Sequence, residues 1–353
     1  MLWGDNMAKP KKDAKGLNDL KKRISDGDLC HVFAFYGEER YLLEYYLGEI
    51  RKKIIDGGMD EFNHKKLTGK GMTAADLREA VDALPVFAER TMVEIDDYDI
   101  FRRGEDTKNE LISIFSDLPD YTCVVFVYDT LEYKPDGRVK INAALRQYIT
   151  EVEFAGQDQN DLINWISRRF RALGRQIDRA TADYLVFMGG DLMTKLIGEI
   201  EKVAAYSTKD FITKADIDAV VTPVIDAVTY KMTDAIINKN YKTAMVILSD
   251  LFALEEPPHK IIYSLSLRMR QLYCAWVCQT NGRGISELMD MLGLKNEYQA
   301  KGLMQGAKRA GGAWCKEAMG QCADTAYKLN SSGSSGQQLL TDLLLHLRMI
   351  DEI

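Results

Sequence analysis

The run Thr122-Cys123-Val124-Val125-Phe126-Val127-Tyr128 is apolar without alternation. A strand with one wet face alternates polar and apolar residues, so an unbroken run of strand length marks a strand buried on both faces. Such a strand needs helices above and below its sheet. Further apolar bursts stand at 31–36, roughly 62–67 and 91–96, and Val152-Glu153-Phe154 reads as a last strand. Helical stretches at 39–55, 73–83 and 106–117 separate them. This alternation predicts a parallel sheet covered by helices.

The character changes after residue 156. Asp158 is a good N-cap, and Leu162, Trp165, Ile166, Arg169 and Leu173 follow at helical spacing. Helices are expected over 179–188, 191–206 and 213–221, the last opened by Thr213 with Asp216 three residues on, close to a capping box. No strand signal interrupts this small bundle, and Pro223 ends it. From Ala227 onward the chain reads as helix throughout: 226–238, 240–253, 258–279, 284–292, 295–308, 310–330 and 337–350. The loop from Asn330 to Gly336 looks like a linker, but the apolar segment Leu339–Ile350 needs a bundle to pack on, so the loop is internal. With 353 residues the chain is long enough for two or three domains.

Bulk properties exclude several classes. The net charge of -7 rules out a protein that coats nucleic acid with its whole surface, so any DNA contact has to come from a local patch. No run approaches eighteen consecutive apolar residues, and the start lacks the layout of a signal peptide. A cytoplasmic protein is expected. Residues 1–17 read as a disordered arm, basic at Lys9, Lys11 and Lys12, and Met7 is an alternative start. The six cysteines, at 30, 123, 274, 278, 315 and 322, form no Cys-x-x-Cys knuckle, and no metal is expected.

A strand, a Gly turn and a helix at 31–45 stand where a nucleoside-triphosphatase carries its phosphate loop. That chemistry requires Gly-x-x-x-x-Gly-Lys-Ser/Thr, with backbone N–H groups, a lysine and a hydroxyl for the phosphates and magnesium. Tyr36-Gly37-Glu38-Glu39-Arg40-Tyr41-Leu42 has one Gly, two carboxylates and no Lys-Ser/Thr pair. Carboxylates beside a polyanion repel it. Asp96, Asp97 and Asp129 end strands, where Asp usually forms turns. The histidines at 31, 64, 259 and 346 are dispersed, and no nucleophile elbow or metalloprotease helix is present. Neither a catalytic residue nor a cofactor site is expected.

The remaining singular feature is Ala83-Leu84-Pro85-Val86-Phe87-Ala88-Glu89-Arg90. Pro85 lacks an N–H and biases Leu84 away from helical angles, so the preceding helix has to stop and the chain to turn. A turn carrying Leu, Val and Phe presents an apolar knob. Folded inward it is ordinary core; exposed, it is an anchor for a partner's apolar pocket.

Several segments fall in one order: His31–Tyr36, then Gly37-Glu38-Glu39-Arg40-Tyr41-Leu42-Leu43, the Leu84–Phe87 turn, the Leu162-Ile163-Asn164-Trp165-Ile166 helix, Gly189-Gly190-Asp191-Leu192, and Glu199-Ile200-Glu201-Lys202-Val203-Ala204-Ala205-Tyr206. In that order and spacing the chain resembles the delta subunit of the bacterial DNA polymerase III clamp loader. The resemblance runs from about residue 18 to the C-terminus and is strongest between 31 and 222. It implies an AAA+-like α/β domain without a phosphate loop over 18–156, a helical lid domain over 157–222 and a helical collar, or oligomerisation, domain over 223–353. It also implies a non-catalytic part of the DNA polymerase III holoenzyme that binds and opens the sliding clamp for loading on primed DNA. Leu84, Val86 and Phe87 would insert into the clamp. The collar would join ATPase and delta-prime subunits in a five-membered ring. Val86, where the family often has Leu, and Pro85 inside the motif are departures.

Basic residues crowd 260–316. Arg268, Arg270, Lys301, Lys308 and Arg309 are the candidates to face primer–template DNA, with Tyr298 or Trp314 to stack on a base. A solvated helix face is the plainer reading of the same charges. Two rival functions are a nucleotide-hydrolysing AAA+ subunit of a clamp or helicase loader, which the missing Lys-Ser/Thr pair opposes, and a stand-alone helical DNA-binding protein, which the acidic charge and the sheet oppose.

Overall fold

The computed structural model describes residues 15–55, 60–331 and 333–350. They form two compact units, one ending at Gln157 and taking in Leu192–Thr194, the other comprising Asp158–Asp191 and the chain from Lys195 onward.

The first unit runs α1 (Lys15–Asp26), β1 (Val32–Tyr36), α2 (Arg40–Ile54), α3 (Asp60–Asn63), β2 (His64–Thr68), α4 (Ala74–Val81), β3 (Thr91–Asp96), α5 (Glu105–Ser116), β4 (Thr122–Val127), α6 (Lys140–Arg146) and β5 (Ile149–Glu153). The strands pair in the order β2-β3-β4-β1-β5, and every pairing is parallel. Successive residues of a strand point to opposite faces. Val32, Ala34, Val124 and Phe126 therefore pack on one side with Leu77, Val81, Leu111 and Leu145 from α4, α5 and α6. Phe33, Phe35, Cys123, Val125 and Val127 pack on the other with Leu20 of α1 and Leu43, Leu47, Ile50 and Ile54 of α2. Each fully buried side chain of this size contributes about 1.5–3 kcal/mol relative to exposure. With both faces covered, β4 has no wet side, which is why its sequence does not alternate. This is the α/β architecture, a parallel sheet covered by helices, that the alternation of strands and helices predicts.

Local differences from the sequence reading have local causes. β2 starts at His64 because Asp60–Asn63 first complete a helical turn. β5 starts at Ile149, three residues before the expected strand, where Ile149 pairs with Val32. The arm expected over 1–17 lies outside the described residues except for Lys15, Gly16 and Leu17, which open α1.

The second unit contains α7 (Gln159–Ala172), β6 (Gln176–Ile177), α8 (Arg179–Gly189), α9 (Met193–Tyr206, without its first two residues), β7 (Phe211–Ile212), α10 (Lys214–Val220), α11 (Ile225–Ile237), α12 (Tyr241–Ala253), α13 (Pro258–Thr280), α14 (Ile285–Leu292), α15 (Glu297–Ala310), α16 (Gly312–Ser331) and α17 (Gly336–Ile350). Asp158 caps α7 by accepting from the Asp161 N–H, and Thr213 and Asp216 complete a reciprocal capping box on α10. A two-residue parallel pairing of β6 with β7 corrects the strand-free expectation for this region. Leu340, Leu343, Leu344 and Leu347 of α17 enter the same core as α11, α12, α13 and α16, so α17 belongs to this unit. Among the described residues no helix is long and apolar enough to cross a membrane.

Candidate functional site

In a parallel sheet, loops entering the strands gather at one end and loops leaving them at the other. Tyr36–Glu39 leaves β1, whereas the turn from Asp82 to Arg90 enters β3. The two segments singled out in the sequence thus occupy opposite ends of the sheet.

At the entering end, α4 stops at Val81, and the Asp82 N–H makes its last helical bond to the Arg78 carbonyl. The flanks of the turn are tied down. Thr122 Oγ1 donates to the Val81 carbonyl at 3.0 Å, the Tyr121 hydroxyl donates to the Asp82 carbonyl at 3.3 Å, and Arg90 Nη1 donates to the Gly27 carbonyl at 2.8 Å. Between these ties Leu84 is 74% exposed, Val86 is exposed and Phe87 is 89% exposed. Phe87 also has φ 52°, the left-handed region that costs a residue with a Cβ about 1–2 kcal/mol. The residue before it is held by a side chain from elsewhere. Val86 N–H donates to Asn63 Oδ1 at 2.8 Å, and Asn63 Nδ2 donates to the Val86 carbonyl at 2.9 Å. Asn63 itself is fully buried. The knob points outward on a fastened base.

Beside Asn63, His64 begins β2 and approaches Glu94 of β3, with 3.0 Å between His64 Nε2 and Glu94 Oε2. Arg51 Nη2 and Lys66 Nζ donate to the same carboxylate at 2.9 and 2.6 Å. Burial alone pushes the Glu94 carboxyl upward, but the hydrogen bonds from His64, Lys66 and Arg51 outweigh it and hold it at about 2. His64 has the structural role expected for it. His31 sits just before β1 and contacts Asp28 at 2.7 Å.

At the leaving end, the two carboxylates of the Gly-Glu-Glu turn are engaged by the chain's own backbone. Glu38 Oε1 accepts from the Gly156 N–H at 3.1 Å, and Glu39 Oε2 accepts from the Met193 N–H at 3.0 Å. Burial raises the Glu39 carboxyl above its ordinary value, and bonds from the Met193, Tyr41 and Thr194 backbone only partly offset this. Glu39 therefore puts its own oxygens on backbone donors close to where a phosphate loop would wrap an anion. Asp97 is a turn former, as expected of a strand-terminal Asp. Its Oδ1 accepts from the N–H groups of Asp129, Thr130 and Leu131 at 2.9, 3.0 and 3.1 Å.

Not every basic residue of 260–316 reaches the surface. Arg268 and Arg270 are two apart on α13, a spacing that points them to different sides of a helix. Arg270 is exposed, but Arg268 is only 7% exposed, with its guanidinium 4.0 Å from the centre of the Tyr230 ring. Burial corrects the DNA-facing expectation for Arg268. Lys301, Lys308 and Arg309 are exposed on α15. Lys301 pairs with Glu297 at 3.2 Å, and Arg309 donates to the Asn238 side chain. Trp314 is buried, and Tyr298 packs against Tyr184 and Phe187 at 5.0 and 5.2 Å between ring centres. Their faces are used inside the unit.

Comparison with known proteins matches both ends of the chain. Residues 33–155 fit the family described as DNA polymerase III, delta subunit, and residues 226–347 fit the C-terminal domain of that subunit. DNA polymerase III subunit delta of Bacillus subtilis is 23% identical over 336 residues, covering 93% of this chain and 95% of that protein. The probable DNA polymerase III subunit delta of Aquifex aeolicus is 22% identical over 275 residues, covering 76% and 77%. Among solved structures, the Bacillus subtilis DNA clamp loader delta protein shares the fold with a TM-score of 0.50 at 20% identity, over 94% of this chain and 99% of that one. With the sheet domain and the C-terminal helices both matched in order, the chain belongs to the DNA polymerase III delta subunit family.

Proposed function

We propose that this chain binds the ring-shaped sliding clamp through Leu84, Val86 and Phe87 and favours its opened form, so that the clamp is loaded on primed DNA. The observation that carries this reading is the pairing of exposure with fixation. Two large apolar side chains stand in water, one of them on a left-handed backbone, while the turn below them is hydrogen-bonded on both flanks and at Val86. Exposed apolar surface on a rigid base suits insertion into an apolar pocket, because little conformational freedom is left to lose on binding. Opening follows from linkage. A ligand shifts a closed ring toward an open one only by the difference in its affinity for the two forms. The knob anchors, and neighbouring surface of the first unit supplies the difference.

The reading extends to an organisation of three domains, 18–156, 157–222 and 223–353, with the last as a collar that joins ATPase and delta-prime subunits in the cytoplasm. The use of Glu38 and Glu39 by the chain's own backbone favours a subunit that leaves nucleotide hydrolysis to those partners. Arg270, Lys301, Lys308 and Arg309 remain the candidates to approach primer–template DNA within the complex.

The test is the affinity of the purified chain for the cognate sliding clamp, beside a Leu84→Ala/Phe87→Ala variant. Truncating a central aromatic anchor costs about 2–4 kcal/mol, so binding should weaken by about 30-fold or more while the folded state survives. An intact chain that does not bind the clamp at all ends this reading.

A further inference from the structure

We infer that Asn63 is the positioning residue of the apolar turn: its buried side-chain amide sets the backbone of Val86, and through it the outward placement of Leu84 and Phe87. The inference rests on the reading that this turn docks the sliding clamp.

An asparagine side chain carries one acceptor and a donor group in one plane, the complement of a residue's own N–H and C=O. Asn63 uses both on the same residue, accepting from Val86 N–H at 2.8 Å and donating to its carbonyl at 2.9 Å. The side chain therefore acts as a one-residue strand partner reaching 23 positions along the chain. Its place is fixed from the other side, since Asn63 is the last residue of α3 and leads directly into β2, which is paired with β3 from His64 and Met92 onward. The burial of Asn63 shields its own end of both bonds from water.

The next residue is the strained one. A left-handed phenylalanine persists only where its surroundings over-determine it. The exposed Phe87 ring has little packing to hold it there, so the constraint has to enter through the backbone. Val86 and its Asn63 partner supply it. When only a fraction of molecules has the competent turn, apparent affinity falls by that fraction. An alanine at 63 removes both bonds and lets the turn sample other shapes, which lowers affinity without touching an anchor.

The experiment uses the full chain with Asn63→Ala and the milder Asn63→Ser, each alone and combined with Leu84→Ala/Phe87→Ala. Amide exchange is measured at Val86 and along β3 and β4, and clamp affinity on the same samples. In Asn63→Ala, Val86 exchange should accelerate at least about tenfold while β3 and β4 keep their protection. The clamp dissociation constant should rise about tenfold, with a smaller rise for Asn63→Ser and no further loss where the anchors are already absent. If the intact chain binds and Asn63→Ala binds equally well, or Val86 exchange is unchanged, the inference fails and the clamp reading stands. Uniform acceleration through β3 and β4 in both variants would make Asn63 a general structural residue and also overturns it. Failure of the unaltered chain to bind removes the clamp reading first, and the inference with it.

Discussion

The guanidinium of Arg268 lies 4.0 Å from the centre of the Tyr230 ring, inside the helical unit, with two of its nitrogens, Nε and Nη1, lacking a hydrogen-bond partner. Burial lowers its pKa to about 10, so it still carries its charge at neutral pH, held by the ring face and the nearby Asp234. A buried charge with unsatisfied donors is costly. An apolar side chain of similar length should therefore be tolerated, and Arg268→Met is expected to raise stability by about 1 kcal/mol. Arg268→Ala, which leaves a hole beside Tyr230, should instead lower it by about 2 kcal/mol. Urea unfolding followed by fluorescence of Trp165, Trp276 and Trp314, all in this unit, measures both. A large loss in the methionine variant would mean that the charge itself holds the helices together.

Glu94 makes the first unit sensitive to acid. Its carboxyl titrates near 4.5 when unfolded and near 2 when folded, because His64, Lys66 and Arg51 bond the charged form. A depressed carboxyl stabilises the fold above its unfolded value, and that contribution is lost as pH falls from about 4.5 toward 2. The gap corresponds to about 3 kcal/mol. Glu94→Gln should cost a similar amount at pH 7 and flatten the loss of stability between pH 4.5 and 2. Amide exchange at β3 as a function of pH reads both effects. An acid limb unchanged in the variant would show that other carboxylates dominate it.

The sequence makes legible the features that burial writes locally. β4 is apolar because helices cover both faces, and the stripe Leu43, Leu47, Ile50, Ile54 on α2 recurs at helical spacing. β2 is harder to read, since its sequence, His-Lys-Lys-Leu-Thr, is largely polar, as suits a strand at the edge of the sheet. α1 hides behind a basic start and buries only Leu20. The β6–β7 pairing is two residues long, too short to show a period. At the candidate site, the knob could be seen from Pro85 and its apolar neighbours, but its exposure could not. Asn63 carried no signal, because an asparagine ending a short helix looks like any turn residue until Val86 is brought against it. Charge counting failed at Arg268 because it does not say which helix face is inside.

Gly37 sets the junction of β1 with the Gly-Glu-Glu turn. It has φ 125°, and a Cβ there would lie 2.4 Å from the Phe154 carbonyl oxygen, which accepts the Glu39 N–H at 2.8 Å. Gly71, at φ 84°, has open space around it. Both alanine variants carry backbone strain, but only one carries a clash. Gly71→Ala should cost about 1 kcal/mol and Gly37→Ala more than about 2 kcal/mol. Protection of β1 and β5 amides from exchange compares them. Equal losses would show that the backbone at Phe154 yields freely.

Phe87 sets stability against binding. Its left-handed backbone costs about 1–2 kcal/mol, and its ring, 89% exposed, returns almost nothing to the fold. Asparagine tolerates the left-handed region because its short polar side chain bonds locally. Phe87→Asn is therefore expected to raise the stability of the first unit by about 0.5–1 kcal/mol and to weaken clamp binding at least about tenfold. Phe87→Leu keeps an apolar anchor and the same backbone strain. It should leave stability unchanged and retain more of the binding than asparagine does. The two variants separate what the residue does for the chain from what it does for a partner. If Phe87→Asn lowers stability instead, the ring is part of the core in solution, and the outward knob on which the binding proposal rests is lost.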